Sequence, residues 1–456
     1  MQTDITIQSV RIEYENHAYR TPLKFGGIIT DKVTLLNVYV CVKDRTGRKM
    51  EGFGSMPLGN VWSFPSRKHG YDETLAAMKA LASEIQSITE SYDDYDHPIG
   101  INAVLEPLYR KALPHIQASC GLQEPIPLLC MLVVASPFDA AVHDAFGKLQ
   151  GKSVFYAYGK DYMERDLSAY LNDEFRGDYL DRYVSLEPKP RMPLYHLIGA
   201  VDPLLEEDIE ARINDGLPET LPEWIEWDGL THLKIKLNGD NLEWDVDRVV
   251  RVDGICEETQ KKRGVDSWFY SLDFNERCES VEYLLEFLNK VREQAPRAMD
   301  RVQYIEQPTA RDLKANPDNK MHRAAKIKPV VIDESLVDFE SLLLARELGY
   351  TGVALKACKG QSQALLMGAA AQKYNLFLCV QDLTSPAASL LHSAELAAHI
   401  PTIAAIEGNG RQYCPIANEG WKDRFPGAFK PKEGTIETGC LNGAGLGIVP
   451  LSKKSC

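Results

Sequence analysis

The stretch His232-Leu233-Lys234-Ile235-Lys236-Leu237 is a short apolar run carrying two lysines, and a helical segment follows it. Seven other short apolar runs occur after residue 193, at 194–198, 268–273, 302–306, 330–333, 352–356, 377–381 and 403–407. From the second run onward, successive ends lie between 23 residues (333 to 356) and 37 residues (236 to 273) apart, which leaves room for one strand and one helix. Eight strands alternating with helices predict a parallel sheet closed into a (β/α) barrel.

The first 150 residues have a different pattern and predict a small α+β region. Strand-like segments at 5–12 and 33–42 come first, and apolar residues at helical spacing follow at 72–88. Between them, Gly52, Gly54 and Gly59 predict a loop that contains Trp62.

The composition is that of a soluble globular protein, with 44% hydrophobic and 25% charged residues in 456. A formal charge of −14 without any basic run disfavours nucleic-acid binding. The longest apolar run, 126–135, is shorter than the ~18 residues a membrane-spanning helix needs. Ten scattered cysteines without a C-x-x-C pair, and no secretory signal, predict reduced thiols in a cytoplasmic protein.

Charged or amide side chains terminate most of the predicted strands: Lys236, Asp273, Glu306, Asp333, Lys356, Gln381-Asp382 and Glu407. Three consecutive ends are carboxylates, and the carboxyl ends of barrel strands meet at one face. Two carboxylates ~4 Å apart repel by roughly 4 kcal/mol at an effective dielectric constant of ~20. Three of them therefore require a cation, and oxygen-only ligands favour Mg²⁺. Each acid taken alone is equally compatible with a helix N-cap or a solvated strand end.

The lysines provide candidate bases on both sides of these acids. Lys234 and Lys236 lie on the same face of one predicted strand, and Lys356 ends a strand four positions further on, across the barrel. A lysine with an ordinary pKa of ~10.4 is protonated at neutral pH. A neighbouring ammonium group and a divalent cation are expected to lower that pKa towards the working range of a base. The K-x-K pair alone is also typical of a solvated or phosphate-binding pair.

The ordered series Lys234-Ile-Lys236, Asp273-Phe-Asn275, Glu306-Gln-Pro308, Asp333-Glu334-Ser335 and Lys356 resembles the enolase superfamily, in particular its muconate-lactonizing-enzyme-like branch. Superfamily members use a lysine or histidine base with Mg²⁺. Residues 144–152 are similar to the family helix that joins cap to barrel, and residues 445–448 are similar to its usual C-terminal ending.

The resemblance implies an α/β fold, namely a modified TIM-type (β/α) barrel with an N-terminal α+β capping domain. It implies a cap at 1–150, a charged connector or insertion at 151–192, a barrel at 193–408 and a C-terminal segment at 409–456 that returns to the cap.

The resemblance also implies roles for individual residues. One Mg²⁺ would be bound by Asp273, Glu306 and Asp333, with Asn275, Glu334 and Asp382 in supporting positions. Lys236 or Lys356 would remove the α-proton of a small carboxylate substrate, and Lys234 would help the metal to stabilise the enediolate. Specificity would come from two cap loops, near 19–28 and 52–64, so that Lys24, Phe25, Trp62 and, from the barrel, Glu407 become candidate substrate contacts.

Some features depart from the family pattern. The seventh strand ends in Gln381-Asp382, so the His-Asp dyad of the mandelate-racemase branch is missing, and His392 is expected to be a core or surface histidine. Two insertions, at roughly 161–191 and 216–228, precede the second barrel strand, and either would serve assembly instead of catalysis.

The predicted function is therefore a Mg²⁺-dependent racemase, epimerase or cycloisomerase, in a homo-oligomer without nucleic-acid or membrane partners. A sugar-acid dehydratase of the same superfamily is the first alternative, because hydroxyl-rich substrates would suit Asp382. A Schiff-base lysine aldolase is an alternative from another class, although it has no need of three acids. A non-catalytic barrel used for binding is disfavoured by the complete set of bases and ligands.

Overall fold

The computed structural model describes residues 1–25, 27–401 and 405–450. A three-stranded antiparallel sheet near the N-terminus consists of β1 (Ile5–Phe25), β2 (Ile28–Asp44) and β3 (Lys49–Pro57), in that order. Four helices follow it: α1 (Asn60–Ser63), α2 (Tyr71–Glu90), α3 (Pro98–Ser119) and α4 (Leu128–Leu149). Helix α4 packs against β2 and β3, so this part of the chain has its strands first and its helices after.

Eight parallel strands form the second sheet, and they follow the predicted series in order. They are β4 (Arg191–Ile198), β5 (His232–Lys236), β6 (Phe269–Asp273), β7 (Val302–Glu306), β8 (Val330–Ile332), β9 (Gly352–Lys356), β10 (Phe377–Gln381) and β11 (Ile406–Glu407). The order is β10-β9-β8-β7-β6-β5-β4-β11, and an antiparallel strand, β12 (Thr435–Glu437), pairs with β4. Because β11 pairs with β4, the eighth strand lies beside the first, and the predicted (β/α) barrel with a cap is confirmed. The first residues of the predicted segment 403–407 lie outside the described residues.

Helices alternate with the barrel strands and continue into the C-terminal segment. They are α5 (Leu221–Asp228), α6 (Leu242–Arg263), α7 (Val281–Gln294), α8 (Pro296–Arg301), α9 (His322–Ala325), α10 (Phe339–Glu347), α11 (Gln361–Lys373), α12 (Ala388–His399), α13 (Gly410–Tyr413), α14 (Trp421–Arg424) and α15 (Pro426–Phe429). The sequence sets the ends of α6 directly. The Asn241 side chain accepts the backbone N–H of Trp244 at 3.1 Å, and Gly264 ends the helix in a left-handed conformation that glycine adopts without steric cost.

Two predicted cap loops have regular structure instead. Residues 19–25 belong to β1, and Phe25 pairs with Ile28 across a hairpin. The β1–β2 register breaks between Ala18 and Leu23, where four residues of β1 face a single residue of β2. Gly52 and Gly54 lie inside β3 because their missing side chains let α4 approach: a Cβ on Gly54 would lie 2.0 Å from the carbonyl oxygen of Pro137. Glycine therefore marks a close contact here, and the loop prediction for 52–57 is wrong.

The two predicted insertions pack on different parts of the molecule. Within 161–191, short 3₁₀ turns lie over the outer helices, where Asp178 accepts from Lys373 at 3.0 Å and Phe175 packs edge-on against Phe339. Residues 216–228 include α5, whose first turn is capped by Glu223. The preceding loop reaches the cap, since Asp215 accepts from Arg20 of β1.

Helix α4 is long and apolar enough to cross a membrane, alone among the helices of the described ranges. It is a core helix, because 94% of its most apolar 18-residue window is buried inside the protein. The C-terminal segment reaches it: the backbone N–H of Leu446 donates to Asp144 at 2.9 Å. The nine cysteines in the described part of the chain are all free, and seven are buried.

Helix α12 carries an unusual pair of buried polar side chains. His392 lies in the core with its ring 6.4 Å from that of Phe53, as expected for a non-catalytic histidine. Glu395 is fully buried, and within the described chain neither carboxyl oxygen has a hydrogen-bond partner. Burial and the nearby charge of Asp144 raise the pKa of Glu395 well above its ordinary value of 4.5.

This pKa shift predicts that stability falls as the pH rises. The folded protein retains a proton on Glu395 that the unfolded chain releases, so the stability that the residue contributes is complete below pH ~4.5 and is lost as the pH rises towards the folded pKa. We expect Glu395→Gln to have a free energy of unfolding about 1–3 kcal/mol higher than wild type at pH 8, and the same value as wild type near pH 4.5. Urea denaturation at the two pH values measures the difference. Equal differences at both pH values would contradict a buried titrating carboxyl.

Candidate active site

The lysines and acids of the predicted site meet at one edge of the barrel sheet. Lys236, Asp273 and Glu306 are the last residues of β5, β6 and β7, and they are paired in register across the three strands. Asp333 follows β8 directly, and Lys356 ends β9. Each of these five side chains belongs to a residue that is at most 4% exposed, so their charges interact with little solvent screening.

Lys234 occupies the middle of the cluster. Its Nζ lies 2.9 Å from Asp273, 2.7 Å from Glu306 and 3.1 Å from Glu407. Glu407, a candidate substrate contact from the sequence, therefore belongs to the same buried cluster. The side-chain amide of Gln381 also donates to Glu306.

The other two lysines lie at separate positions around the acids. Lys236 donates to Asp273 and, at 2.9 Å, to the side-chain oxygen of Asn275. Lys356 lies on β9, four strands away from β5, and its Nζ is 2.7 Å from Asp333. The lysines therefore approach the acidic cluster from different strands, as the sequence predicts.

Lys359 is a further buried lysine at this site. Its Nζ lies 3.1 Å from Oδ1 of Asp333 and donates to the backbone carbonyl of the same residue. Lys356 and Lys359 therefore face different oxygens of the Asp333 carboxylate, Oδ2 and Oδ1.

The pKa values differ from the sequence-based expectation. Burial lowers the pKa of Lys234, but the negative charges of Asp273, Glu306 and Glu407 outweigh it and hold the pKa well above 10.5. The pKa of Lys356 is raised in the same way, because Asp333 outweighs burial. The expected lowering assumed a bound cation, and without one the lysines themselves neutralise the acids.

The acids respond unequally to this environment. Burial raises the pKa of each acid, but Lys234 and Lys236 bring that of Asp273 well below its ordinary value, and Lys356 and Lys359 bring that of Asp333 to about 2. For Glu306, burial and the charge of Asp273 raise the pKa well above its ordinary value.

The chemistry of the donor set fits a hard divalent cation. Asp273, Glu306 and Asp333 offer only oxygen ligands at the ends of neighbouring strands, and all three side chains are buried. In the described part of the chain, no three Asp, Glu, His or Cys side chains already stand in a metal-holding arrangement. The reason is local: Lys234 lies between Asp273 and Glu306, and a cation would have to displace it.

The predicted supporting residues have clear partners. Glu334 accepts from the indole N–H of Trp62 at 2.8 Å, and burial together with the Asp333 charge raises its pKa to about 7. Burial and Glu407 likewise raise the pKa of Asp382 to about 7. Asp382 accepts backbone N–H groups from its own loop, including that of Ser385 at 3.1 Å. Asp382 therefore fixes a loop next to the site.

Two parts of the cap cover the lysines. The ring of Trp62 lies 4.5 Å from Lys356 Nζ, and the ring of Phe25, in the β1–β2 hairpin, lies 5.7 Å from Lys236 Nζ. Lys24, at the same hairpin, donates to Asn238 at 2.9 Å. The cavity beside Lys236 holds only about 20 Å³, roughly the space for one water molecule. An organic substrate enters only if the cap moves.

Sequence reasoning missed several residues that shape this site. Gln307, directly after Glu306, has a positive φ of 29°, and its side-chain oxygen accepts the backbone N–H of Asp333 at 3.0 Å. It thereby ties the β7 end to the β8 end. Lys359 was missed, and its position three residues after Lys356 was the available signal. Gln381 was identified as a strand end, but its contact with Glu306 was not predicted.

A (β/α) barrel that carries buried lysines and acids on its strand ends beneath an antiparallel cap defines a class of enzymes. Residues 217–454, just over half of the chain, match the family model for enolase C-terminal domain-like proteins. The chain belongs to this family, and it is an enzyme of the isomerase or lyase type. The resemblance seen in the sequence is confirmed.

Solved structures agree in fold across nearly the whole chain. A mandelate racemase/muconate lactonizing protein from Herpetosiphon aurantiacus has 19% identity and a TM-score of 0.64, with 98% of each chain covered. The muconate lactonizing enzyme from Pseudomonas fluorescens, complexed with muconolactone, has 16% identity and a TM-score of 0.61, with 97% of this chain and 96% of that chain covered. A dipeptide epimerase from Enterococcus faecalis V583, complexed with Mg and L-Leu-L-Tyr, has 14% identity and a TM-score of 0.61, covering 97% and 99%. No curated protein sequence matches.

Proposed function

We propose that this protein removes the α-proton of a small carboxylate in a Mg²⁺-dependent reaction and acts as a racemase, epimerase or cycloisomerase. One observation carries the proposal: Lys236 and Lys356 end two strands that lie four apart, each against a different carboxylate of one buried cluster. Two bases that reach one substrate from two sides permit inversion at carbon. One base and one acid permit ring opening or closure.

The residues around the lysines have distinct roles in this proposal. Asp273, Glu306 and Asp333 would hold Mg²⁺, which when bound supplies positive charge to offset the negative charge developing on the substrate carboxylate. Asn275 positions Lys236 through a 2.9 Å hydrogen bond. Lys234, released from the acids, can donate to the substrate carboxylate. Phe25 and Trp62 exclude water from above.

The comparisons support the kind of reaction without naming a substrate. Epimerases and cycloisomerases occur among the proteins of similar fold, and two of the dipeptide epimerase structures contain Mg. The contacts of Asp382 do not favour the sugar-acid dehydratase, since its carboxylate is used by backbone N–H groups of its own loop. We expect an apolar or amphipathic carboxylate, because Phe25 and Trp62 cover the lysines.

Deuterium exchange tests this proposal directly. Purified enzyme with Mg²⁺ is incubated in D₂O with a panel of dipeptides, N-acyl amino acids and lactone carboxylates, and deuterium at the α-carbon is followed by NMR. We expect exchange with at least one member, its loss after treatment with EDTA, and recovery on addition of Mg²⁺. Exchange that is insensitive to EDTA would contradict the metal, and trapping of a carbonyl substrate by borohydride would support the aldolase instead.

The insertion before β5 anchors the hairpin that covers Lys236, and this predicts a measurable role for Arg20. The Arg20 guanidinium binds Asp215 through two hydrogen bonds, at 2.6 and 2.8 Å, and also donates to the carbonyls of Leu217 and Pro218. Arg20 lies where the β1–β2 register is broken, directly before the hairpin tip.

We expect Arg20→Ala to raise KM about tenfold with a smaller change in kcat. The variant frees the hairpin, and charged hydrogen bonds of this kind contribute about 1.5–3 kcal/mol. Steady-state kinetics on the substrate found by exchange measures the effect. Arg212→Ala is the matched control, because Arg212 pairs with Glu206 and Glu223 within the same connection between β4 and β5. Equal effects of both variants would contradict an anchoring role for Arg20.

We propose that residues 1–150 act as the cap and residues 193–408 as the barrel, and that the 151–192 and 409–456 segments connect them. We also propose that the enzyme works as a cytoplasmic homo-oligomer. Free cysteines throughout the described ranges are typical of a reducing compartment.

A further inference from the structure

A large cavity lies away from the lysines and acids of the active site. It has a volume of about 920 Å³ and lies between β1 of the cap, the insertion with α5, and the C-terminal segment from α13 to residue 431. None of the proposed catalytic or metal-binding residues lines it. A volume of this size is within the range of small-molecule sites, roughly 300–1,000 Å³.

The cavity wall is mainly apolar, and three of its apolar side chains face solvent. Trp227 and Ile416 are each 62% exposed, and Ile213 is 44% exposed. Trp227 and Ile416 are the two most exposed large hydrophobic side chains of the described residues. Buried Trp224 and Phe429 complete the apolar wall. A flat apolar group placed here would cover an indole ring that otherwise faces water.

Positive charge at the cavity exceeds what its acids neutralise. Asp228 is paired with Arg411 at 2.8 Å. The other two acids are also paired, Asp215 with Arg20 and Glu419 with Lys422. Lys430 has no ion pair within the described chain.

Arg411 provides a second, independent signal at the same place. Its side chain is only 7% exposed, and its Nε is a buried donor without a hydrogen-bond partner in the described ranges. The guanidinium lies behind the cavity wall, where it contributes positive charge that its partner Asp228 offsets in part. The chemistry of the wall therefore matches an anionic group attached to an apolar body.

We propose that this cavity is a second binding site, for a small organic anion with a flat apolar body, such as an aromatic carboxylate. The aromatic part packs on Trp227, and the anionic group faces Arg411 and Lys430. A small molecule fits better than a protein partner because the wall is concave and its key donor lies below the surface. Tyr19 and Arg20 also line the cavity and lead into the hairpin over Lys236, so the ligand contacts the element that has to move for substrate entry.

Calorimetric titration with 2-naphthoate tests the site in the full-length protein, with uncharged 2-naphthamide as the control ligand. We expect 2-naphthoate to bind, and 2-naphthamide to bind at least about threefold more weakly. Trp227→Ala should weaken 2-naphthoate about fivefold to tenfold, and Lys430→Gln about threefold. Lys236→Ala, in the active site, and Leu186→Ala, which removes an exposed apolar side chain elsewhere, should bind as wild type does. Thermal denaturation checks that Trp227→Ala and Lys430→Gln are folded.

Other outcomes overturn the proposal. Undetectable binding, or binding that Trp227→Ala and Lys430→Gln leave unchanged, removes the site. Loss of binding in Lys236→Ala places the probe in the active site instead. A change of oligomeric state in Trp227→Ala, measured by sedimentation, shows that a second copy of the chain covers this wall.

Discussion

Alanine in place of Lys236 or Lys356 is expected to reduce α-proton exchange by about 10²–10⁴-fold, the usual contribution of a general acid or base. The two side chains end different strands and contact different acids, so each serves one side of a bound substrate. For an epimerase, each variant should abolish exchange with one stereoisomer of the substrate and retain slower exchange with the other. For a cycloisomerase, the variant that lacks the base should lose exchange, and the variant that lacks the acid should retain exchange and lose only product formation.

The measurement is NMR in D₂O on separate stereoisomers, with enough enzyme to detect slow exchange. Lys373→Ala is a suitable control, because Lys373 is also paired with an aspartate, at 3.0 Å, but lies on the outer helix α11. Wild-type exchange in both active-site variants would exclude lysine as the base. Loss of exchange with both stereoisomers in each variant would instead indicate that the lysines hold the acidic cluster together.

The strand ends could be predicted from the sequence because the short apolar run and the charged residue that ends it are both local signals. A strand of about five residues brings its last side chain to a fixed edge of the barrel, so Lys236, Asp273 and Glu306 needed only the correct strand register. The antiparallel hairpin of the cap was harder to predict from the sequence. Its strands are irregular near Tyr19, and a break in register leaves no alternation to read.

The contacts between distant segments could not be predicted from the sequence. Nothing near Arg20 indicates that its partner is Asp215, 195 residues away. The partners of Glu407 and Lys24 could not be predicted for the same reason. Both remain predicted substrate contacts, and each binds a barrel side chain, Lys234 and Asn238, that only the folded chain brings close.

The charge state of the site also depended on packing. The sequence suggests that a cation lowers the pKa of the lysines, but Lys234 and Lys356 lie directly on the acids in the fold, and the negative charges raise the pKa values of these two lysines. The same packing reveals Lys359, whose role cannot be inferred from a lone lysine three residues after Lys356.

Asparagine at Asp333 is expected to lower the free energy of unfolding of the metal-free protein by about 3–5 kcal/mol, the usual result of leaving a buried charge without its partner. Asp333 is the carboxylate that both Lys356 and Lys359 face, at 2.7 and 3.1 Å, and all three residues are at most 4% exposed. Urea denaturation in EDTA measures the loss. The metal is removed because a bound cation would add its own stabilisation to the wild type.

Adding Lys359→Met to Asp333→Asn should recover at least about 1 kcal/mol, since the double variant buries one unpaired ammonium group fewer. Lys359→Met alone should cost less than Asp333→Asn, because Asp333 keeps Lys356. The three variants and the wild type form a double-mutant cycle, and residues in direct contact should not act additively. Strict additivity would mean that Lys359 is held by the backbone carbonyl of Asp333 alone. A clear coupling would identify Lys359 as a positioning residue that holds Asp333 in place for the cation, while Lys356 remains free to exchange its proton with a substrate.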